Sequence, residues 1–314
     1  MANTTEQFYQ DLDACYASGD MEKVERFLQT SANTYRPCCG GFNATYLAVV
    51  SEMGGFYRGT SKYAASVEAF LGARDIIAEF IGRESMEYAT NLNNLAGTYR
   101  LMGEHQKSLK AFEEAMEIYR ATIGTENYFF ASALNNVSLL YQDMKDYEKA
   151  VECSEAALAI LETLTEADDD IATTYNNLAA LYDRMGDSAQ ALKSLEKSIA
   201  LYESIPGGSP HYAAALNQKA SFLYRDGNYE EAKDTYFKAL KHVEQFFGRN
   251  IEYGIACDNL GRVYEKLGDM KQSEAYITQA ADIYAAVYGK DHEISKKALS
   301  MLADLKSKRN SCNI

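Results

Sequence analysis

An eight-residue element recurs five times along the chain at a nearly constant interval. Its copies begin at residues 92, 134, 175, 216 and 257 and read LNNLAGTY, LNNVSLLY, YNNLAALY, LNQKASFL and CDNLGRVY. The steps between their first residues are therefore 42, 41, 41 and 41. A fixed period of this length is typical of stacked supersecondary units, each of which packs only on its neighbours. The repeat predicts an elongated array rather than conventional globular domains.

Small residues mark the places where two helices of one unit must approach each other. One small residue lies in the repeated element, a turn position follows seven residues later, and a second small residue follows five residues after that. The turn position is Gly in four units and Lys145 in the other. Glycine after a helix adopts the left-handed conformation that lets the chain reverse, so each unit is predicted to be helix, tight turn, helix. The small residues are Ala96, Ser138, Ala179, Ala220 and Gly261 on the first helix, and Ser108, Ala150, Ala191, Ala232 and Ser273 on the second.

The ends of the units are marked as well. Four residues after the second small residue, a mostly bulky residue continues the same helical stripe, namely Phe112, Ser154, Leu195, Tyr236 and Ile277. Spacings of three and four residues place such positions on one helical face. Glycines then recur at the predicted end of each second helix, at Gly82, Gly124, Gly207, Gly248 and Gly289, with Glu166 in the one remaining place. Each second helix is therefore expected to stop before a short polar loop.

The order of small, Tyr, Gly, Tyr, Ala and aromatic positions resembles the tetratricopeptide repeat. The long period and the Asn-Asn-Leu-Ala core are similar to the variant found in kinesin light chains. The resemblance covers residues 42–288 and implies an all-α fold, a right-handed superhelical solenoid of antiparallel helix pairs. The sequence departs from the family pattern in lacking Trp, in Gln218 and Lys219 replacing Asn and Leu, and in Ser61 and Lys145 replacing Gly.

The predicted organisation has three parts. Residues 1–41 are expected to form a degenerate N-terminal capping hairpin, and residues 289–314 a C-terminal capping helix and tail. The part between them, 42–288, is divided into six hairpins at 42–83, 88–123, 130–165, 171–206, 211–247 and 252–288. In the first of these hairpins, Gly54 aligns with Ala96 and Phe70 with Phe112. In the C-terminal helix, the residues expected to cover the last hairpin are Ile294, Ala298, Met301, Leu302 and Leu305.

Stacked hairpins of this kind expose their first helices on a concave surface, which suits an extended or helical peptide. The first Asn of the repeated element forms a ladder there, consisting of Asn93, Asn135, Asn176 and Asn217, with Asp258 last. An Asn amide is both donor and acceptor, so it can pair with the main chain of any peptide. The family resemblance implies this role. The alternative is that these amides form hydrogen bonds with groups of their own protein. We favour this alternative for the second set of amides, Asn94, Asn136, Asn177 and Asn259.

Further candidates for the groove lie four to eight residues beyond the ladder. They are Arg100, Gln142, Arg184, Tyr224, Arg225 and Arg262. The arginines are candidates for binding a carboxylate or phosphate of the ligand, and solvated surface arginines are the competing interpretation.

Charge and motifs argue against several other classes of function. The net charge of -14 repels nucleic acid and anionic lipid, and no apolar run is long enough to span a membrane. The start of the chain has no signal-peptide pattern, so we expect a cytoplasmic protein. The Cys38-Cys39 pair is a minor candidate for a redox or metal site, and Asp168 to Asp170 for calcium, although three acids also suit a helix N-terminus.

No dinucleotide, phosphate-loop or serine-hydrolase motif occurs, and the four histidines lie in different repeats. The sequence therefore predicts no enzyme, no cofactor and no metal, and it leaves the oligomeric state open. The main hypothesis is a scaffold that binds a protein or peptide in its groove. The second hypothesis is a regulatory sensor, in which a bound peptide changes the superhelix pitch to control an effector.

Overall fold

The structure is a computed structural model that describes residues 4–38 and 40–312. Within these ranges every regular element is an α-helix, and there are fifteen of them. They are α1 Thr4–Ala17, α2 Met21–Tyr35, α3 Ala44–Gly59, α4 Tyr63–Phe80, α5 Met86–Leu101, α6 His105–Thr122, α7 Tyr128–Asp143, α8 Tyr147–Leu161, α9 Asp168–Met185, α10 Ser188–Ser204, α11 Tyr212–Arg225, α12 Tyr229–Phe247, α13 Ile251–Lys266, α14 Met270–Tyr288 and α15 Glu293–Cys312. The predicted all-α array of helix pairs is confirmed.

The chain folds as two compact units, Met1–Thr165 and Glu166–Ile314. The first contains the hairpins α1–α2, α3–α4, α5–α6 and α7–α8, and the second contains α9–α10, α11–α12 and α13–α14, followed by α15. Within each unit, the second helix of one hairpin packs on the first helix of the next. The sequence analysis does not predict the division at residue 165, and its own boundaries at 41 and 288 stay predictions. Residues 1–3 of the predicted cap and 313–314 of the predicted tail lie outside the described residues.

The turns confirm the phase of the repeat, even where glycine is missing from the sequence. Gly186 follows α9 with a φ of 82°, and the same left-handed conformation occurs at Gly103, Gly227 and Gly268. Lys145 takes the equivalent place after α7 with a φ of 64°. Left-handed φ values are unfavourable for residues with a Cβ. The array therefore keeps its turn geometry at this position at some cost in conformational energy.

The stripe of small and bulky residues is buried between the two helices of each hairpin, as predicted. Ala179, Ala191 and Leu195 are fully buried in α9–α10, and the equivalent residues of the other hairpins are buried too. Ser138 and Ser154 take these places in α7–α8. The Ser154 hydroxyl donates to Ser138 Oγ at 2.8 Å, and Ser138 Oγ donates to the carbonyl of Ala150 at 2.7 Å. These bonds satisfy the two hydroxyls in a place that other hairpins fill with apolar groups.

Glycine in α3 lets the ring of Phe70 approach the helix backbone closely. A Cβ on Gly54 would lie 2.6 Å from the ring of Phe70, which is itself buried in α4. Gly54 and Phe70 occupy the positions in α3–α4 that Ala96 and Phe112 occupy in α5–α6. The degenerate hairpin therefore keeps the same interface with a smaller residue on one side.

The C-terminal helix packs on α14 along a face slightly different from the predicted one. Ala298 and Leu305 are buried as expected, whereas Ile294 is exposed and Ser295 is buried in its place. The prediction for Ile294 is therefore wrong. Residues 295, 298 and 305 share one helical face because they are separated by three and seven residues, and Ile294 lies about 100° away from Ser295.

Candidate functional site

The predicted groove residues lie on the first helices of the hairpins. The side of these helices that carries the residues is called the first-helix face of each unit. In the first unit it is formed by α5 and α7, which hold Asn93, Arg100, Asn135 and Gln142. In the second unit it is formed by α9, α11 and α13, which hold Asn176, Arg184, Asn217, Tyr224, Arg225, Asp258 and Arg262. All members of the Asn ladder, with Asp258, are half-buried.

Amides of the first unit are bonded to their own protein. Asn136 Nδ2 on α7 donates to Asn93 Oδ1 on α5 at 3.4 Å. Asn94 accepts from Nη1 of Arg58 on α3, at 3.3 Å to its main-chain oxygen and 3.4 Å to Oδ1. The second Asn of the element therefore joins neighbouring first helices at these two sites, as we expected for that set. Asn93 of the ladder takes part in the same network.

Arg58 belongs to the first-helix face but is absent from the predicted residues. Its guanidinium is half-buried, and burial, assisted by the nearby charge of Arg100, lowers the pKa of Arg58. A Cβ on Gly97 would lie 3.3 Å from Arg58 Nη1, so glycine leaves room for the guanidinium against α5. Arg58 lies 42 residues before Arg100, which is the period of the repeat. Extending the period upstream would therefore have found it.

Three amide oxygens of the second unit have no partner in the described part of the chain. The Oδ1 atoms of Asn176 on α9 and Asn217 on α11, and Oε1 of Gln218, are buried without a hydrogen bond. Buried amide oxygens in proteins are nearly always paired, and each unpaired one costs about 1–3 kcal/mol. These oxygens therefore have unused hydrogen-bonding capacity in the described part of the chain.

Most arginines of the predicted groove already have a carboxylate partner in the same unit. Arg100 on α5 bonds Asp143 on α7 at 2.7 Å. Arg225 on α11 bonds Asp183 on α9 at 2.8 Å, and Arg262 bonds Asp258 on the same helix at 2.8 Å. Arg184 is exposed and has no ion pair or hydrogen bond among the residues that the structure describes. Among the predicted groove arginines in the described part of the chain, an acidic group of a ligand would meet an uncompensated guanidinium at Arg184.

A cavity of about 350 Å³ lies between α9 and α11 of the second unit. Its lining consists of Ala180, Asp183, Arg184, Gln218, Ser221, Phe222 and Arg225. The Gln218 amide and the Asp183–Arg225 pair therefore face the same space as Arg184. Tyr224 does not line this cavity; its ring packs against that of Tyr229 at a centroid distance of 5.4 Å.

The minor chemical candidates gain no support from the arrangement. The three acids Asp168 to Asp170 form the first turn of α9, as the helix alternative predicts. Among residues 4–38 and 40–312, no group of three or more His, Cys, Asp and Glu side chains is placed to hold a metal ion. Cys38 is exposed, and Cys39 lies outside the described residues. No described helix combines the length and apolar character needed to cross a membrane.

Three stretches of the chain, residues 44–121, 129–204 and 254–312, match the family model of the tetratricopeptide repeat. No curated protein matches the sequence. Among solved structures, a kinesin light chain of Podosopora anserina with nearly identical repeats is 20% identical, with a TM-score of 0.51 over 63% of this chain and 96% of that one. The predicted likeness to kinesin light chain repeats is thereby confirmed.

Two bacterial proteins match a larger share of the chain. The quorum sensor NprR of B. thuringiensis, in complex with its cognate peptide NprX, is 17% identical, with a TM-score of 0.61 over 98% of this chain and 89% of that one. Aspartyl phosphate phosphatase F of Bacillus subtilis is 14% identical, with a TM-score of 0.65 over 91% of this chain and 70% of that one. At these identities the likeness shows a shared fold.

Proposed function

Because this chain belongs to the tetratricopeptide repeat family, we propose that it is a non-catalytic scaffold that binds a peptide segment of a partner along its first helices. The observation that carries the proposal is the pair of buried, unpartnered oxygens on Asn176 and Asn217. They lie one repeat apart, on adjacent first helices of the second unit. A peptide lying across α9 and α11 would supply main-chain N–H groups to both.

Main-chain recognition explains why these positions keep asparagine. An amide oxygen accepts from any peptide N–H, so it contributes affinity without demanding a particular sequence. The side chains that differ between repeats would then select the partner, and Arg184 beside the cavity is the residue suited to an acidic one. The peptide bound by the similar protein NprR agrees with a ligand of this class.

The proposal is tested with peptides selected from a random display library on the whole chain. We expect the double substitution Asn176→Ala and Asn217→Ala to weaken a selected peptide about 30-fold, since each lost bond contributes about 1 kcal/mol. The matched control is Asn93→Ala with Asn136→Ala, an amide pair in the first unit that is already bonded internally. Titration calorimetry should find the control within about threefold of the unmodified chain. Equal affinity of the double variant and the unmodified chain would reject the site.

The non-catalytic part of the proposal has its own test, because an aspartyl phosphate phosphatase shares the fold. Incubation of the chain with acetyl phosphate or a protein that carries an aspartyl phosphate should release phosphate at the uncatalysed rate. Release faster than in a protein-free control would overturn it.

A sensor remains the second candidate function, and the likeness to the quorum sensor NprR over 98% of this chain favours it. A sensor must change conformation when its ligand binds. A ligand shifts a conformational equilibrium only when it binds one of the two states more tightly than the other. Small-angle scattering with and without a selected peptide should then show a changed radius of gyration. Superimposable profiles would leave the scaffold as the function.

A further inference from the structure

Asn91 of α5 is a buried amide with no hydrogen-bond partner on either atom. Only 4% of the residue is exposed, and neither Oδ1 nor Nδ2 has a partner in the described part of the chain. A primary amide can accept two hydrogen bonds through its oxygen and donate two through its nitrogen. Leaving all of them unmade in a free protein is costly, so the position needs an explanation other than packing.

The other repeats show that packing does not require an amide here. The residues one or more periods away are Val49, Ala133, Thr174, Ala215 and Ala256, and all of them are buried. Thr174, the only other polar residue in this position, donates its hydroxyl to the carbonyl of Asp170 at 2.7 Å. Alanine at three of the six positions is enough for the hairpin interface. Asn91 is therefore an exception to its own repeat.

Asn91 also lines a cavity of about 300 Å³ within the first unit. Apolar side chains of three helices form most of the wall, among them Leu47 of α3, Phe70 and Ile77 of α4, and Phe129 of α7. This volume is at the lower end of the range for small-ligand sites, enough for one side chain. The cavity is a mostly apolar space with an unsatisfied amide in its wall.

We propose that this cavity is a specificity pocket for a glutamine or asparagine side chain of a peptide ligand. A ligand carboxamide pairs reciprocally with Asn91, because each group donates through its nitrogen and accepts through its oxygen. A carboxylate would leave Asn91 Oδ1 without a donor, and an ammonium would leave Nδ2 without an acceptor. Glu87 at the cavity would also repel a carboxylate. The methylene groups of the ligand side chain would contact the apolar wall.

The inference rests on the proposed peptide function for its ligand but uses different residues from the amides of the second unit. Asn91 precedes Asn93 of the ladder by two residues, which places the two on different sides of α5. The pocket belongs to the first unit, whereas Asn176 and Asn217 belong to the second. The two sites can therefore fail independently.

The direct test uses capped tripeptides of the form acetyl-Ala-X-Ala-N-methylamide, with X as Gln, Asn, Leu or Glu, titrated into the ¹⁵N-labelled whole chain. We expect the Gln or Asn peptide to shift the side-chain NH₂ signals of Asn91 in a saturable manner, and the Leu and Glu peptides to leave them unchanged. The Leu peptide carries the same main-chain amides, so it controls for main-chain binding. Equal shifts with Leu, or no shift with Gln and Asn, would overturn the pocket.

A variant supplies a second readout that does not depend on any ligand. Asn91→Ala places in α5 the residue that three other repeats have, so the free chain should melt about 2–4 °C higher. The same variant should lose the response to the Gln peptide in other pocket signals, whereas Asn93→Ala should keep it. A lower melting temperature for Asn91→Ala would show that the amide is satisfied in the free protein, for instance by water, and would overturn the inference.

These outcomes are separable from those of the proposed function. If selected peptides bind the chain but neither the Gln nor the Asn tripeptide shifts the Asn91 signals, the pocket is wrong and the scaffold stands. If no peptide binds the second-unit amides but the Gln tripeptide still shifts Asn91, the pocket stands and the assignment of Asn176 and Asn217 is wrong.

Discussion

The two units of this chain use the same repeated amides in different ways. In Met1–Thr165, Asn136 bonds Asn93, and Asn94 accepts from Arg58, so the element joins one first helix to the next. In Glu166–Ile314, the oxygens of Asn176 and Asn217 are buried without a partner in the described part of the chain. One residue type at one repeat position therefore serves as an internal connector at Asn93 and is left open at Asn176 and Asn217.

The difference shows that position in a repeat does not by itself decide whether an amide binds a ligand. An amide is left open for a ligand only where the neighbouring first helix supplies no hydrogen-bond partner for it. Arg58 fills that role in the first unit because Gly97 lets its guanidinium approach α5. In the second unit, the arginines of α11 and α13 are paired with Asp183 and Asp258 instead. Their guanidiniums therefore form ion pairs and make no hydrogen bond to the ladder amides.

This comparison assumes that the hairpin cores of the two units are packed equivalently. A substitution in α3 tests that assumption and has the largest expected effect on stability. Gly54→Ala would bring a Cβ to 2.6 Å from the buried ring of Phe70. Overpacking of this kind costs about 1–3 kcal/mol, which exceeds the gain from replacing glycine inside a helix. We expect denaturant unfolding to show a loss of stability in that range.

The matched control for Gly54→Ala adds Phe70→Leu to it. The double variant recreates the pair formed by Ala179 and Leu195 in the second unit, so it should recover most of the lost stability. Full stability of Gly54→Ala alone would mean that the α3–α4 interface is looser than its counterpart, and the comparison between units would lose its basis.

Single amide substitutions should have opposite signs in the two units. Asn217→Ala removes an unpaired buried oxygen and improves helix propensity, so the free chain should become more stable by about 1 kcal/mol. Asn94→Ala removes a side-chain acceptor of the half-buried Arg58 and should destabilise the chain by about 1 kcal/mol. Thermal unfolding of the two variants measures both effects. Equal signs would show that the amides of the two units are not used differently.

The sequence predicted the helices and their pairing because both depend on local periodicity, which a 41-residue repeat displays several times. Turn positions such as Lys145 were predicted correctly because the spacing of the repeat determines them, whichever residue type occupies them. The role of each amide could not be predicted in the same way. Asn93 and Asn176 occupy equivalent places in the sequence, and their difference depends on residues of neighbouring helices such as Arg58. Ile294 was misplaced because the period was not extended into the terminal helix, where Ser295, Ala298 and Leu305 lie 42 residues after the buried Tyr253, Ala256 and Val263.

The turn of one hairpin in each unit offers a smaller test. Lys145 after α7 and Gly186 after α9 make the same two hydrogen bonds, from their own N–H and from that of the next residue. Lys145 does so with a φ of 64°, which a side chain disfavours. Lys145→Gly should therefore stabilise the chain by about 0.5–1 kcal/mol, and Gly186→Lys should destabilise it by a similar amount. If both variants lose stability in chemical denaturation, the two turns are not equivalent.

Acidification should affect one carboxyl of each unit in opposite directions. Burial, with a further contribution from Asp13, raises the pKa of Glu52 in α3. The bonds from Lys238 and Tyr212, both at 2.6 Å, lower the pKa of Glu203 in α10. For Glu52, the stabilisation belongs to the protonated form and is lost as the pH rises through its folded pKa. For Glu203, it belongs to the carboxylate and is lost as the pH falls through its folded pKa.

Glutamine substitutions at these two carboxyls therefore test the comparison between the units through the pH dependence of stability. They have the smallest expected effect. Near neutral pH, Glu52→Gln should raise the free energy of unfolding, because it removes a buried charge. Glu203→Gln should lower it by about 0.5 kcal/mol, the size typical of an exposed ion pair. The Glu52→Gln difference should vanish at a pH below the ordinary pKa of glutamate, about 4.3, and the Glu203→Gln difference only at a pH below the lowered folded pKa of Glu203, because only there is each carboxyl protonated in both states. A Glu52→Gln variant that loses stability at neutral pH would mean that a cation compensates this carboxylate, and the first unit would then resemble the second.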